Sequence, residues 1–392
     1  MNSLPPISFD NTEVAYQTKS NSELKKTYNL YRLMNQGFLV KIGNAVIQFL
    51  MSKNAPIEGL VKNTIFNQFC GGETLEETKI LIDSLSKSNI EVLLNYSVEG
   101  LEDAQSYYLT YQKSLEMIHF AAENPSIRAV CIKFTGYAGI DLWTKVQSKS
   151  TLSKNEDLEY QQARQYIDHL CAEAVKADVQ LFVDAEESWF QDAIDNLVDE
   201  MMAKYNKEEA FIFNTYQLYR HDKFEYLKRS AELAKSMGYV LGAKIVRGAY
   251  VEKENQYASK TGVPSPINAT KELSDIAFDK ALVYVVNNLE HISLCCASHN
   301  ERSNQLLLEE MAKCNIPFNH KHISSSQLLG MSDNITYNLN QIGINTAKYV
   351  PFGPVKEVIP YLIRRAQENT SVAGQTSREL RLIEKEIRRR KL

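Results

Sequence analysis

The sequence has little of what marks membrane, secreted or nucleic-acid-binding proteins. Its most apolar stretch, residues 37–51, is too short to cross a bilayer and is interrupted by Lys41. The first residues, Met-Asn-Ser-Leu-Pro-Pro, have no basic segment followed by an apolar core, so we expect no secretion signal. A net charge of −4 gives no general attraction to nucleic acid. Six cysteines without a Cys-x-x-Cys pair fit reduced thiols in the cytoplasm.

Several motifs of known chemistry are also missing. No Gly-x-Gly-x-x-Gly follows a strand-like run, so the sequence does not support a nicotinamide-binding Rossmann unit. There is no Walker loop and no nucleophile elbow around a serine. His320 and His322 alternate as two metal ligands would, but no third ligand stands nearby, and we expect no metal ion.

What the sequence does have is a regular alternation of strand-like and helix-like segments after a helical start. Eight short apolar runs cover residues 90–96, 128–134, 179–184, 210–215, 239–246, 291–298, 316–323 and 343–350. Amphipathic stretches lie between them, at residues 101–123, 160–177, 189–204, 223–237, 268–289, 301–314 and 327–340. This alternation predicts an α/β fold, a (β/α)8 TIM-type barrel, and a doubly wound sheet is the alternative. We divide the chain into an N-terminal helical arm (1–88), the barrel (89–372) and a C-terminal helix (373–392).

Polar side chains stand at or just past the ends of these strand-like runs. In a barrel of parallel strands these ends meet at one rim, where catalytic residues collect. The residues concerned are Lys133, Asp184, Gln217, Arg247, His299 and Tyr349, and Lys244 precedes Arg247 by three positions. Such a set is hard to explain by packing alone, because charged groups are costly to bury. We therefore expect an active site at this rim.

A second concentration of charge lies near the C-terminus. Arg364 and Arg365 are adjacent, and Glu368 follows at a spacing that reaches either arginine on a helix. Apolar residues crowd the pair, namely Pro360, Tyr361, Leu362 and Ile363. Arginine grips a carboxylate or phosphate with two parallel hydrogen bonds. The pattern predicts a buried clamp for an anion.

Three ordered motifs resemble the proline dehydrogenase family. Tyr349-Val-Pro-Phe-Gly353 with Tyr361-Leu-Ile-Arg364-Arg365-Ala-Gln-Glu368-Asn is similar to its substrate-binding end. Gly242-Ala-Lys244-Ile-Val-Arg247-Gly248-Ala249-Tyr250 resembles its flavin-contacting strand, and Phe182-Val-Asp184-Ala185-Glu-Glu its mid-barrel motif. The resemblance implies a monofunctional, FAD-dependent enzyme that oxidises L-proline to Δ1-pyrroline-5-carboxylate, the first step of proline degradation to glutamate. It further implies hydride transfer from proline C5 to flavin N5 and reoxidation by a membrane quinone.

The resemblance also assigns roles to single residues. It implies catalytic roles for Asp184 and Lys244, with Asp184 orienting Lys133 or the clamp. The implied substrate-binding residues are Lys133, Tyr250, Tyr349, Tyr361, Arg364, Arg365 and Glu368. The implied cofactor-binding residues are Ala185, Gln217, Lys244, Arg247, Gly248, Ala249, Ser298 and His299. Many bacterial members carry arginine where Lys244 stands, and either residue supplies a cation beside the flavin.

Three other functions stay open at this level. A desolvated Lys133 or Lys244 would permit a Schiff-base lyase or aldolase. A flavin-binding sensor is a second alternative, and a hydroxyproline dehydrogenase is a third. The polar segment 141–159 is expected to form a surface loop or a lid over the site. The charged tail from residue 377 carries Leu380, Ile383 and Ile387 on one stripe, and its basic end is expected to be solvated, with a peripheral membrane contact as the alternative.

Overall fold

A computed structural model gives the structure of this protein and describes residues 6–36, 43, 57–97, 103–371 and 375–392. Within these residues, eight parallel strands close into a barrel in the order β1 to β8, and β1 pairs with β8. The strands are β1 (Ile90–Tyr96), β2 (Ile127–Ile132), β3 (Gln180–Val183), β4 (Ile212–Gln217), β5 (Leu241–Val246), β6 (Ile292–Ala297), β7 (Ile323–Leu328) and β8 (Thr346–Phe352). The predicted (β/α)8 barrel is confirmed.

Helices follow the strands and cover the outside of the barrel. They are α6 (Ala104–Ala122), α7 (Ile140–Gln147), α8 (Lys154–Lys176), α9 (Ser188–Tyr205), α10 (Lys223–Met237), α11 (Val251–Thr261), α12 (Lys271–Val286), α13 (Glu301–Lys313), α14 (Asp333–Gln341) and α15 (Val355–Ser371). Before the barrel lie α1 (Thr12–Ala15), α2 (Asn21–Met34), α3 (Glu58–Val61), a π-helical turn (Lys62–Phe66), α4 (Asn67–Phe69) and α5 (Leu75–Ser86). The chain ends with α16 (Gln375–Arg389).

The seventh strand is not where the apolar pattern predicts it. The prediction was residues 316–323, whereas β7 begins at Ile323 and contains Ser324, Ser325, Ser326 and Gln327. These polar residues are buried because each finds partners inside the barrel wall. Ser325 Oγ donates to Asn304 Oδ1 at 2.9 Å, and Gln327 Nε2 donates to the Ser298 carbonyl at 3.1 Å. Hydrophobicity alone could not identify so polar a strand. As a result, the helix that the sequence predicts from residue 327 begins only at Asp333.

The segment 141–159 is neither an extended loop nor an open lid. Most of it belongs to α7 and to the first turns of α8. Trp143 is fully buried, and its Nε1 donates to the Phe134 carbonyl at 3.2 Å. Lys145 pairs with Glu156 and joins the two helices. The tryptophan anchors this segment against the loop that follows β2, so its polar composition reflects a solvated helix face.

The N-terminal arm and the C-terminal helix pack against each other. Ser20 and Glu23 form a capping box at the start of α2. Buried residues of the arm, among them Tyr31, pack with Leu382 and Ile383 of α16. The apolar stripe of the tail is therefore used inside the protein. The apolar stretch 37–51 lies outside the described residues except for Gly43, and no described helix is both long and apolar enough to cross a bilayer.

Candidate active site

The residues predicted at the strand ends do meet at one rim of the barrel. Lys133, Asp184 and His299 follow β2, β3 and β6, while Gln217 ends β4 and Tyr349 lies within β8. All eight strands run in the same direction, so their carboxyl ends point to one side of the sheet. The rim therefore gathers residues that are far apart in sequence.

The centre of the site is a buried carboxylate with two partners. Asp184 Oδ1 lies 2.5 Å from Lys244 Nζ, and Asp184 Oδ2 accepts a hydrogen bond from the Tyr349 hydroxyl at 2.7 Å. Lys244 Nζ also lies 5.1 Å from the centre of the Tyr349 ring. The lysine and the aspartate are both buried. The partners of Asp184 are therefore Lys244 and Tyr349, whereas its place in the sequence suggests Lys133 or the arginine pair.

The charges of this centre follow from burial and contact. Burial opposes the positive charge of Lys244, but the adjacent Asp184 outweighs it and raises the pKa of the lysine above its ordinary value. Burial, and then the nearby Asp184, raise the pKa of Tyr349 well above its ordinary value. Lys244 is therefore a cation and Tyr349 a neutral hydrogen-bond donor at neutral pH. A protonated lysine is a poor nucleophile, which argues against Schiff-base chemistry at Lys244.

Glu186 and Gln217 form a second polar group beside the first. Glu186 accepts hydrogen bonds from the Thr135 backbone N–H at 3.2 Å and from its hydroxyl at 2.6 Å. Burial raises the pKa of Glu186 to about 7, although the charge of Lys133 opposes this shift. Gln217 Nε2 donates to the Glu186 carbonyl at 3.1 Å. Gln217 Oε1 is buried and accepts no hydrogen bond from the described part of the chain, so it is available to a donor of a bound molecule.

The loop after β5 brings bare backbone to the rim. Gly248 has φ of 135°, and a Cβ there would lie 2.4 Å from the Tyr219 ring, so glycine is required. Gly248 and Ala249 are exposed. Arg247 is engaged on three sides: Nε lies 2.5 Å from Asp275 Oδ1, and its two Nη atoms donate to Ser298 Oγ at 3.0 Å and Ser303 Oγ at 2.9 Å. Arg247 therefore ties the β5 loop to the β6 loop, a role that its sequence position alone did not indicate.

His299 is held as a neutral ring. Its Nδ1 lies 2.9 Å from Ser332 Oγ. Burial, followed by the positive charges of Lys348, Arg365 and Arg247, lowers the pKa of His299 to about 3. A neutral imidazole has one nitrogen that donates and one that accepts, so it can hydrogen-bond an uncharged polar group of a ligand.

The arginine pair approaches this rim from α15. Arg365 is buried, and its guanidinium lies 5.0 Å from the centre of the Tyr361 ring. Burial raises the pKa of Tyr250 to about 12, and the positive charges of Lys133 and then of the half-buried Arg364 oppose this shift. The two arginines thus act on different neighbours: Arg364 lowers the pKa of Tyr250, and Arg365 lowers the pKa of His299. The backbone of Glu368 belongs to α15, but its side chain lies outside the described residues.

Other residues at the rim were not predicted from the sequence. Lys348 is almost fully buried; its Nζ lies 2.8 Å from Asp333 Oδ1 and donates to the Met331 carbonyl at 2.6 Å. Ser332 and Glu379 are buried beside them. Lys348 lies in the middle of β8, so it is not among the residues at the ends of the apolar runs. The loop that holds Ser332 follows β7, the strand whose position the apolar pattern does not predict. A lysine in the middle of a strand was the signal that could have found Lys348.

These residues fit a bound flavin. The free acceptor of Gln217, the exposed Gly248 backbone and several cations suit a large, polar, anionic ligand. A match to the family model named proline dehydrogenase covers residues 79–378. This chain belongs to the proline dehydrogenase family. Membership makes it an oxidoreductase and confirms the resemblance that the motifs suggested. Ala185 and Ser298 are both buried at the rim.

Individual relatives agree with this assignment to the proline dehydrogenase family. The chain is 31% identical to mitochondrial proline dehydrogenase 1 of Dictyostelium discoideum over an alignment of 425 residues, covering 97% of this chain and 74% of that protein. It is 41% identical over 245 residues to mitochondrial proline dehydrogenase 1 of Homo sapiens, 62% of this chain and 41% of that protein. It is 29% identical to hydroxyproline dehydrogenase of Xenopus laevis, over 96% of this chain and 88% of that protein.

Solved structures agree on the fold. Proline utilization A from Bdellovibrio bacteriovorus, inactivated by N-propargylglycine, superposes with a TM-score of 0.71 at 21% sequence identity. The match covers 93% of this chain and 37% of that one. This chain therefore corresponds to just over a third of that protein and to about two-fifths of the human relative.

Proposed function

We propose that this protein oxidises L-proline to Δ1-pyrroline-5-carboxylate with FAD as its cofactor, the first step of proline catabolism. The observation that carries the proposal is the buried Asp184, joined to Lys244 and Tyr349, at the same rim as Arg365. It supplies fixed charge and a fixed aromatic wall at the rim of the barrel. Family membership supports the same reaction.

The chain's own residues divide the work between the two ends of the substrate. Arg364, Arg365 and Lys133 supply positive charge for the proline carboxylate, and Glu368 is proposed to brace the arginines. Tyr250, Tyr349 and Tyr361 form the walls that orient the ring. Gln217, Arg247, Gly248, Ala249, Ala185, Ser298 and His299 would hold FAD, which when bound accepts the electrons of the oxidation.

Asp184 and Lys244 are the proposed catalytic pair. Lys244 keeps its positive charge, because the adjacent carboxylate outweighs the effect of burial and raises the pKa of the lysine. A fixed cation beside the cofactor stabilises negative charge that develops there. Asp184 holds both Lys244 and the Tyr349 hydroxyl, so one carboxylate sets the positions of the cation and of the aromatic wall.

The proposal extends to the acceptor, the location and the division of the chain. We propose that a membrane quinone reoxidises the enzyme and that the protein is cytoplasmic, peripheral at the inner face of the membrane. The apolar stripe of α16 is covered by the arm, so such a contact would be electrostatic, through exposed basic residues such as Arg388. Sedimentation with and without anionic vesicles tests it. We also propose the arm, barrel and C-terminal helix as units 1–88, 89–372 and 373–392.

The test of the activity is anaerobic reduction of the purified protein. We expect a yellow protein whose flavin absorption bleaches when L-proline is added. A colourless protein that borohydride inactivates in the presence of substrate would instead indicate a Schiff-base lyase. Slow bleaching, with a change of binding partners on reduction, would favour a sensor.

A hydroxyproline dehydrogenase is the second candidate, because one relative of that name matches most of this chain. The same bleaching assay with 4-hydroxy-L-proline separates the two. Faster bleaching by hydroxyproline than by proline would assign the protein to the second function. The hydrogen bond from Tyr349 to Asp184 favours proline, since it holds the wall of the pocket in place.

A further inference from the structure

The N-terminal part of α16 reaches the two loops that border His299. Glu379 Oε1 accepts a hydrogen bond from the Ser332 backbone N–H at 2.6 Å. Arg378 donates to Glu301 through Nε at 2.9 Å and Nη2 at 3.1 Å. Glu301 begins α13 two residues after His299, and Ser332 precedes α14. The C-terminal helix is thus joined to both the β6 loop and the β7 loop.

Ser332 adopts a backbone conformation that needs support. Its φ of 51° and ψ of 43° are left-handed, which is costly for a residue with a Cβ. The residue is nearly fully buried, and its hydroxyl lies 2.9 Å from His299 Nδ1. Glu379 holds its N–H, while Lys348 contacts the residues on both sides, Met331 and Asp333. These contacts fix the backbone of Ser332, and with it the point from which its hydroxyl meets the His299 ring.

A second set of hydrogen bonds braces the same loop. Thr336 Oγ1 donates to Gln327 Oε1 at 2.7 Å, and Gln327 Nε2 donates to the Ser298 carbonyl at 3.1 Å. The backbone just before His299 is therefore tied to α14 independently of Glu379. Removal of Glu379 should loosen Ser332 and the histidine ring without releasing the β6 loop itself.

We propose that Glu379 is a positioning residue that orients His299 for cofactor binding through Ser332. The inference rests on the proposed binding of FAD and adds a residue outside the barrel to that site. The family match ends at residue 378, so Glu379 is the first residue beyond it. The C-terminal helix is on this view a part of the cofactor site as well as a cover for the arm.

The surroundings of Glu379 make glutamine a conservative replacement. The charged groups that act on Glu379 are Asp333 and Lys348, and Glu379 in turn acts on Tyr16 and Tyr31 of the arm region. Arg378 and Glu386 of its own helix act on the same Tyr16. Burial, and then the like charge of Asp333, raise the pKa of Glu379 to about 7. A glutamine oxygen can still accept the Ser332 N–H, whereas alanine cannot.

The test is the affinity for FAD, measured by titrating the flavin-free full chain and following flavin fluorescence. Glu379→Ala is expected to raise the Kd for FAD about 3- to 10-fold, the loss that follows from one hydrogen bond. Glu379→Gln should restore a Kd close to wild type. In a His299→Ala background, Glu379→Ala should change the Kd by less than about twofold, because the residue it orients is already gone.

A structural control separates positioning from general destabilisation. Glu386→Gln breaks the pairs with Arg389 and Arg390 on the same helix, so it should lower the Tm while leaving the Kd unchanged. Should Glu379→Ala fail to fold, Ser332→Ala replaces it, since it removes the hydroxyl contact and keeps the backbone one. Equal weakening of FAD binding by Glu379→Ala with and without His299 would overturn the proposal, as would a wild-type Kd in both Glu379→Ala and Ser332→Ala.

The effect of Glu379 on the His299 ring can also be measured without FAD. In protein labelled with 15N-histidine, the His299 ring, assigned with a His299→Gln variant, should be a single neutral tautomer in wild type and a mixture in Glu379→Ala. If the wild type binds no FAD while this change is observed, the proposed function fails and the positioning by Glu379 stands. An identical histidine spectrum in wild type and Glu379→Ala refutes the positioning.

Discussion

Lys244 Nζ and Asp184 Oδ1 meet 2.5 Å apart across the mouth of the barrel, although β4 lies between their strands. Lys244 comes from β5 and Asp184 follows β3, so the contact passes over the end of a neighbouring strand. Both side chains are buried, and each would be an uncompensated charge without the other. The pair therefore links the stability of the fold to the arrangement of the proposed site.

Replacing Lys244 by methionine should destabilise the folded protein as well as abolish its activity. The change leaves Asp184 buried without its cation, which costs about 3–5 kcal/mol in the free energy of unfolding. Denaturant unfolding measures this cost. The double variant Lys244→Met with Asp184→Asn should recover much of the stability but none of the activity. A double variant no more stable than Lys244→Met would show that the two charges are not coupled.

Tyr349→Phe should weaken catalysis and keep the flavin. The hydroxyl donates to Asp184 at 2.7 Å, and removing a donor to a buried carboxylate costs about 1–3 kcal/mol. We expect kcat/KM for proline to fall by the factor that corresponds to this free energy, while the protein still purifies yellow. Unchanged steady-state kinetics would mean that the Tyr349 hydroxyl has no part in the reaction.

Tyr349→Ser tests substrate choice at the same position. A rigid wall should disfavour an added hydroxyl by about 1–3 kcal/mol, so wild type is expected to prefer proline over 4-hydroxyproline roughly 10- to 200-fold. The smaller serine should narrow this ratio, mainly by lowering activity on proline. Comparison of kcat/KM for the two substrates gives the answer. A wild type that oxidises both equally well would contradict a closed wall.

Arg364→Ala and Arg365→Ala should each impair capture of proline. Losing one charge-assisted contact to the substrate carboxylate costs about 2–3 kcal/mol, or roughly 30- to 150-fold in kcat/KM, mostly through a higher KM. Lys356→Ala is the control, because this lysine lies on the same helix and is half exposed. The clamp would have to be abandoned if both arginine variants kept the kinetics of the control.

Glu186→Gln should flatten the dependence of stability on pH. The pKa of Glu186 is raised from 4.5 to about 7, so the folded state keeps a proton that the unfolded chain releases. The contribution of Glu186 to stability is thus complete below pH 4.5 and is lost as the pH rises through about 7. We expect the difference in Tm between pH 5 and pH 8 to be smaller in Glu186→Gln than in wild type.

The control for this measurement is Glu232→Gln, which removes an exposed carboxylate. Glu379 and Asp199 have pKa values raised to about 7 as well, so the flattening should be partial. A pH profile for Glu186→Gln that coincides with that of Glu232→Gln would show that Glu186 does not keep its proton in the folded state.

Local sequence pattern determined the architecture and the general place of the site. The alternation of apolar runs and amphipathic stretches is set by backbone periodicity, so it predicted the closed barrel and, for β1, even the bounds. The polar residues at the strand ends could be found because parallel strands must bring them to one rim. The three motifs identified the family, since they carry residue types at fixed spacings.

Only the tertiary structure decided which of these residues touch. Asp184 and Lys244 are 60 positions apart, and no periodicity says that the lysine of β5 turns toward β3. The register of β7 depends on hydrogen bonds that bury its serines, which hydrophobicity cannot report. Glu379 reaches Ser332 across 47 positions because α16 packs between the arm and the barrel rim. Contacts between distant segments depend on packing geometry, and that geometry is a property of the folded chain as a whole.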